Sequence, residues 1–243
     1  MKEVKEEWVK VYKNSEEGFD FPFERKTLLE IFFESGSFVL EAGCGDGNVC
    51  FELEKREIRS LGIDITPNVV KQAHLFCKAK GYSVEFIIGD VTHLPLRNGS
   101  FDGVVSLGVI EHFRSTNQAF HAFLESHRVL RKDGKIFVTV PNVFVPLRNK
   151  LILFLSRGKL GLYHKFYTIN ILTKLLRSSG FVQLTYDVID LWLPIFSVID
   201  GLMKNLNIHK QVRRKTYYFF AMLPRVPFLK IFLGHVLLAA RKN

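Results

Sequence analysis

The sequence predicts an α/β fold in which a mostly parallel sheet carries helices on both of its faces. Three observations support this prediction. Short apolar segments alternate with segments of helical periodicity through the first 140 residues. Glycines at every second position follow the first apolar segment, and the net charge changes sign at about residue 140.

Strands and helices are assigned from this alternation, and connections between parallel strands are expected to be right-handed. The predicted strands of the first part are 37–42, 59–64, 83–88, 101–107 and 134–140. The predicted helices between them are 47–57, 67–80 and 115–131. The later part of the chain adds a helix at 167–179 and strands at 181–188 and 235–241.

Charge divides the chain into two parts. Residues 1–140 hold 18 basic and 21 acidic side chains, whereas residues 141–243 hold 16 basic and three acidic ones. We therefore expect N-terminal helices and a cofactor-binding core at 1–141. The rest, 142–243, completes the sheet at about 165–189 and 234–242. It also carries basic, apolar helical cap insertions at about 142–164 and 190–233, which are expected to close an acceptor pocket.

Cysteine usage and the N-terminal segment indicate the compartment. The three cysteines, Cys44, Cys50 and Cys77, form no CxxC pair, which argues against a disulfide framework and against a zinc site. The first ten residues, MKEVKEEWVK, lack the apolar region of a signal peptide. No charge-free apolar run approaches the ~18 residues of a membrane span. The expectation is a cytoplasmic protein that needs no metal.

The glycine loop, EAGCGDG at 41–47, points to a ligand lying against the backbone. Gly43, Gly45 and Gly47 allow a tight turn and a close approach, although a plain strand-to-helix turn would look similar. Glu41 precedes the glycines at the end of the first strand, where a carboxylate would repel a pyrophosphate. It would suit a ligand with positive charge and no phosphate, such as S-adenosylmethionine, which carries a sulfonium and an ammonium group.

Two further carboxylates follow the next two predicted strands. Asp64 ends the second strand, 21 residues after Gly43, where an acid can accept hydrogen bonds from both ribose hydroxyls. Asp90 ends the third strand, where it could accept one from an adenine amino group. Each acid alone could be a solvated loop residue or a helix cap. Together with the glycine loop they predict a nucleoside site at one edge of the sheet.

The segments VLEAGCGDG, GIDIT, GDVTHLPL and VLRKDGKIFVTVPN resemble, in this order, those of class I S-adenosylmethionine-dependent methyltransferases. They look most like the branch that includes the ubiquinone and menaquinone enzymes. The resemblance implies a Rossmann-like doubly wound sheet of seven strands whose last strand is antiparallel. It also implies S-adenosylmethionine contacts. Glu41, Gly43, Gly45, Gly47 and, through its backbone, Leu107 would line the methionine side; Asp64 would bind the ribose, with Ile65 beside the adenine and Asp90 and Val91 at its edge.

The sequence indicates the residues of the acceptor pocket less clearly than those of the cofactor site. Methyl transfer needs a general base only when the nucleophile carries a proton, and His112, just beyond the fourth strand, is the catalytic candidate. Glu111 and His112 could equally be structural. Tyr163, His164 and Tyr167 are further candidates for the acceptor pocket, with packing as their alternative role.

The predicted function is methyl transfer from S-adenosylmethionine to a small, hydrophobic or anionic acceptor. The basic, apolar second part suits peripheral contact with an anionic membrane. An RNA methyltransferase is an alternative, disfavoured because SLGVIEH at 106–112 replaces the NPPY-type motif of many nucleic-acid amino-methylating enzymes. A non-catalytic binding protein with the same fold is the other alternative.

Overall fold

The computed structural model describes residues 33–141, 165, 167–189, 203 and 235–243. Apart from residue 203, the predicted cap insertions at 142–164 and 190–233 lie outside the described residues. The pocket candidates Tyr163 and His164 fall outside them as well, whereas Tyr167 lies inside.

Strands and helices alternate in the described residues, as the sequence predicts. The strands are β1 (Phe38–Ala42), β2 (Arg59–Asp64), β3 (Glu85–Ile88), β4 (Phe101–Leu107), β5 (Leu130–Pro141), β6 (Phe181–Ile189) and β7 (His235–Lys242). The helices are α1 (Asn48–Glu54), α2 (Pro67–Lys80), α3 (Thr116–Val129) and α4 (Ile169–Ser178), and a 3-10 turn spans Ile110–His112. Within these ranges no helix combines the length and the apolar character that crossing a bilayer requires.

Within the described residues the strands form one seven-stranded sheet in the order β3-β2-β1-β4-β5-β7-β6. Strands β1 to β5 pair in parallel, and β7 runs antiparallel to both of its neighbours. The predicted Rossmann-like sheet with an antiparallel last strand is therefore confirmed. The strand order reverses between β1 and β4, and such a switch point opens a crevice at the carboxyl ends of the strands.

Several element boundaries differ from the prediction by one to four residues, and two helix ends among them have a structural explanation. The third helix was expected to continue to residue 131, because basic residues precede Gly134 there. Instead α3 ends at Val129, and Leu130 adopts an extended conformation and pairs with Phe101 of β4. Leu130 is fully buried in the core, so the sheet gains its side chain. The first helix also ends early, at Glu54, because Glu57 takes a left-handed conformation (φ 58°).

Alternating strand residues bury two faces of the sheet. Leu40, Val104 and Val138 pack on the face covered by α3 and α4. Val39 and Val105 pack on the opposite face, against Val49 and Leu53 of α1. Because side chains two positions apart share a face, Glu41 projects from β1 to the side on which α1 lies.

Candidate cofactor site

The glycine loop between β1 and α1 is held against the end of β2. The backbone N–H groups of Gly43 and Cys44 both donate to the Ile63 carbonyl oxygen, at 2.8 and 3.0 Å. Gly43 has a left-handed conformation (φ 81°), and a Cβ atom there would lie 2.4 Å from Val109 Cγ2. A larger residue at this position would therefore suffer both backbone strain and a steric clash.

Gly45 connects the loop to the acid at the end of β2. Its φ of 53° is also left-handed, and its backbone N–H donates to Asp64 Oδ2 at 3.0 Å. Gly47, with a φ of 82°, immediately precedes the first residue of α1. The three glycines thus bring the start of α1 and the end of β2 to the same point of the crevice.

Glu41 is buried beneath this loop, with 4% of its surface exposed. Its Oε2 accepts a hydrogen bond from the Cys50 backbone N–H in the first turn of α1, at 3.1 Å. The pKa of Glu41 is raised to about 8, chiefly by burial and in smaller part by the nearby negative charges of Asp46 and Asp64, while the hydrogen bond from Cys50 acts in the opposite direction. At neutral pH its carboxyl group is therefore mostly protonated, and a cation placed beside it would favour ionisation.

Asp64 is held at the end of β2 by two backbone donors. Gly45 N–H donates to Oδ2, and Thr66 N–H donates to Oδ1 at 2.8 Å. Burial raises its pKa, and these hydrogen bonds act in the opposite direction. Ile65, the predicted adenine neighbour, follows and is half-buried.

Asp90 lies just beyond the end of β3, the strand that pairs in parallel with β2. Its Oδ1 accepts hydrogen bonds from the backbone N–H of Thr92 at 2.8 Å and from the Thr92 hydroxyl at 2.7 Å. The side chain of Val91 is buried in the core cluster that also contains Ile63 and Leu94. The register of β1, β2 and β3 therefore brings Glu41, Asp64 and Asp90 to three adjacent strand ends, as predicted.

The end of β4 and the segment after it carry the residues that the sequence predicts for the acceptor side and for the backbone contact of Leu107. Leu107 is half-buried against the α1 face, and the 3-10 turn that follows buries Glu111 and His112, the latter with 8% of its surface exposed. Lys165 fastens this turn, because its backbone N–H donates to the Glu111 carbonyl at 2.6 Å. Tyr167 is buried in the core, as its alternative packing role predicts.

Sequence reasoning missed Thr92, whose hydroxyl contacts Asp90, and the contact between Glu41 and α1. A repeated pattern could have revealed the first, since Asp-Ile-Thr at 64–66 and Asp-Val-Thr at 90–92 stand in equivalent places. In both, the N–H of the threonine closes a short turn on the carboxylate. No sequence signal indicates the Glu41 contact, which depends on where α1 lies.

Comparison with known proteins places this geometry in context. Residues 40–138 match a methyltransferase domain family. A tRNA (carboxymethyluridine(34)-5-O)-methyltransferase of Xenopus tropicalis is 31% identical over 105 residues, 43% of this chain and 15% of that protein. The ajmaline N-methyltransferase of Rauvolfia serpentina is 38% identical over 79 residues, 31% of this chain and 27% of that protein. The chain thus matches about a quarter or less of the length of these relatives.

Solved structures share the fold at low sequence identity. The [4+2]-cyclase SpnF superimposes with a TM-score of 0.65 at 19% identity, covering 90% of this chain and 81% of that one. The phosphoethanolamine N-methyltransferase 2 of Haemonchus contortus superimposes with a TM-score of 0.64 at 16% identity, covering 93% and 54%. At these identities the likeness concerns the fold.

The comparisons show that residues 40–138 match a methyltransferase domain and that the chain is similar to named methyltransferases. They do not assign it to the ubiquinone and menaquinone branch, because the relatives include enzymes named for a tRNA and for an alkaloid. The acceptor therefore has to be inferred from the site and from the rest of the chain.

Proposed function

We propose that this protein transfers the methyl group of S-adenosylmethionine to a small acceptor that is hydrophobic or anionic. The observation that supports this is the set of three carboxylates, Glu41, Asp64 and Asp90, at adjacent strand ends around a glycine loop. Carboxylates at these places suit an ammonium group, two ribose hydroxyls and an adenine amino group, and they disfavour a phosphate-rich ligand.

The donor residues of this chain fit that cofactor. Glu41 is buried and raised in pKa, so a cation beside it removes the cost of ionising the carboxyl group. Asp64 is oriented by two backbone N–H groups, one to each oxygen, and each oxygen keeps a lone pair that can accept from a hydroxyl. When bound, S-adenosylmethionine supplies a methyl group on a positively charged sulfur, which needs no further activation.

The chain's own contribution to the reaction is then mainly orientation. Holding two reactants in line can supply roughly 7–11 kcal/mol in favourable cases. We propose that the 3-10 turn after β4, fastened by Lys165, forms one wall of the acceptor pocket. Where the acceptor atom carries a proton, a nitrogen of the His112 imidazole takes it, and His112 lies at that turn.

RNA is the second candidate acceptor, favoured by the similarity to tRNA methyltransferases over 105 residues. The similarity to an alkaloid N-methyltransferase is higher in identity but shorter, at 79 residues. The small acceptor is preferred because the 16 basic side chains of the second part are interleaved with Leu, Phe and Trp. Such a composition suits an anionic lipid surface, and we propose a cytoplasmic protein in peripheral contact with a membrane.

Methyl transfer from S-adenosylmethionine with a tritiated methyl group tests both candidates. The purified protein is incubated with small-molecule, lipid and RNA fractions of a cell extract, beside a matched reaction with Asp64→Ala. Label in the small-molecule or lipid fraction that Asp64→Ala loses would support the proposal. Label confined to RNA would favour the second candidate, and a wild-type protein that binds the cofactor but labels no fraction would contradict both.

A further inference from the structure

Two of the three carboxylates are held by the same local turn but have different partners. Thr66 N–H donates to Asp64 Oδ1 and Thr92 N–H donates to Asp90 Oδ1, both at 2.8 Å. The second oxygen of Asp64 accepts from the backbone of Gly45, on another element. Asp90 has a side-chain hydroxyl as its other donor, so its orientation depends on the residue type at position 92.

Thr92 is placed to control that orientation. Its hydroxyl lies 2.7 Å from Asp90 Oδ1 and 2.9 Å from His93 Nδ1, and 5% of the residue is exposed. A hydroxyl has one hydrogen to donate, and the carboxylate can only accept it. With the hydroxyl hydrogen given to the nearer Asp90 Oδ1, the His93 tautomer that fits this arrangement donates from Nδ1 to the threonine oxygen.

Both donors act on one oxygen of Asp90. The N–H and the hydroxyl of Thr92 both reach Oδ1, and in the described part of the chain no protein group donates to Oδ2. A carboxylate that is fixed through one oxygen presents the other in a defined direction. Because hydrogen bonds to charged groups are stronger than neutral ones, losing the hydroxyl would loosen this arrangement.

We propose that Thr92 is a positioning residue for adenine recognition. By holding Asp90 through Oδ1, its hydroxyl leaves Oδ2 to accept a hydrogen bond from the exocyclic amino group of the cofactor's adenine. A purine with a 6-oxo group would place an acceptor against this acceptor and be rejected. Position 92 therefore sets the preference for 6-amino over 6-oxo purines, an inference that rests on the proposed cofactor site.

Calorimetry with S-adenosylhomocysteine and with S-inosylhomocysteine, which carries a 6-oxo purine, tests this inference on the full chain. Wild-type protein is expected to bind the adenine compound at least about tenfold more tightly. Thr92→Val should weaken binding of that compound by about tenfold and change binding of the inosine compound less than about twofold. Thr92→Ser, which keeps the hydroxyl, should retain the wild-type ratio of the two affinities.

Thr185→Val is the matched control, because Thr185 is exposed on β6 at the other edge of the sheet. It should leave both affinities unchanged. If Thr92→Val does not fold, as judged by circular dichroism, Thr92→Ala removes the same hydroxyl and replaces it in the assay.

The ratio of affinities distinguishes positioning from a purely structural role. A ratio of affinities that is unchanged in the folded hydroxyl-free variant, including the case in which both affinities fall equally, would overturn the inference. Loss of the preference for the adenine compound in Thr92→Ser would overturn it as well. A wild-type protein that binds neither compound would instead refute the proposed function.

Discussion

The buried carboxyl group of Glu41 should affect both the stability of the protein and its binding of the cofactor. Its pKa is raised from 4.5 to about 8 in the folded protein, chiefly by burial. A group with a raised pKa stabilises the fold below its unfolded value, and this contribution is lost as pH rises through the folded value. One pKa unit corresponds to about 1.4 kcal/mol, so the loss is about 3 kcal/mol at pH 7 and about 5 kcal/mol above pH 8.

Glu41→Gln removes the ionisable group and keeps an oxygen that can accept from the Cys50 N–H. In the absence of cofactor we expect the variant to exceed the wild type in stability by less than about 1 kcal/mol at pH 5 and by more at pH 7. A gain of about 3 kcal/mol corresponds to a melting temperature about 6–12 °C higher for a chain of this size. Taking the difference between the two proteins at each pH removes the effects of other titrating groups.

The affinity for the cofactor should rise with pH, whereas the stability of the free protein falls. Because the bound ammonium favours ionised Glu41, the affinity of the wild type for S-adenosylmethionine should rise between pH 6 and 8, by at most about tenfold per unit. Glu41→Gln should bind more weakly, with little dependence on pH over this range.

Thermal unfolding and calorimetry from pH 5 to 8 measure both effects, with Glu85→Gln as the control, since Glu85 is exposed on β3. Two results would refute the reasoning. One is a difference in melting temperature between Glu41→Gln and wild type that does not vary with pH. The other is a cofactor affinity of the variant equal to that of the wild type.

Three further predictions concern the loop, the ribose site and the basic part. Asp64→Ala should weaken S-adenosylmethionine binding by about 1–3 kcal/mol in calorimetry, because it removes a charged acceptor; unchanged binding would exclude Asp64 from the site. Gly45→Val should abolish binding and leave far-UV circular dichroism nearly native, since φ there is 53°; unchanged affinity would make the loop only a turn. Sedimentation with anionic vesicles should show binding that weakens in salt and on changing Arg213, Arg214 and Lys215, outside the described residues, to Ser, at about 1 kcal/mol per charge. Absence of vesicle binding together with salt-dependent RNA binding would favour the RNA alternative.

The sequence alone determined the architecture and the composition of the candidate site. Apolar alternation and helical periodicity are local properties of the chain, so β1 to β5 and the helices between them could be assigned within a few residues. The acids at 41, 64 and 90 follow strands that pair in parallel, and parallel strands bring their carboxyl ends to one edge. Their proximity was therefore predictable without coordinates.

Element boundaries were decided by tertiary packing. Basic residues before Gly134 favour a helix that continues to 131, yet Leu130 is buried in the core and pairs with Phe101 of β4. Burial of a large apolar side chain outweighs a local preference for helix. The partner that decides this, Phe101, is 29 positions away along the chain, so no local pattern contains it.

The properties of the site side chains likewise depended on tertiary structure. The sequence placed Glu41 beside a glycine loop, but only the position of α1 buries it and supplies the Cys50 N–H. The repeated Asp-x-Thr pattern was visible in the sequence, whereas the hydroxyl contact at Asp90 required the side-chain geometry of Thr92. Burial and hydrogen-bond geometry depend on residues that are distant in sequence. Together they determine the pKa of an acid and the ligand group that it can bind.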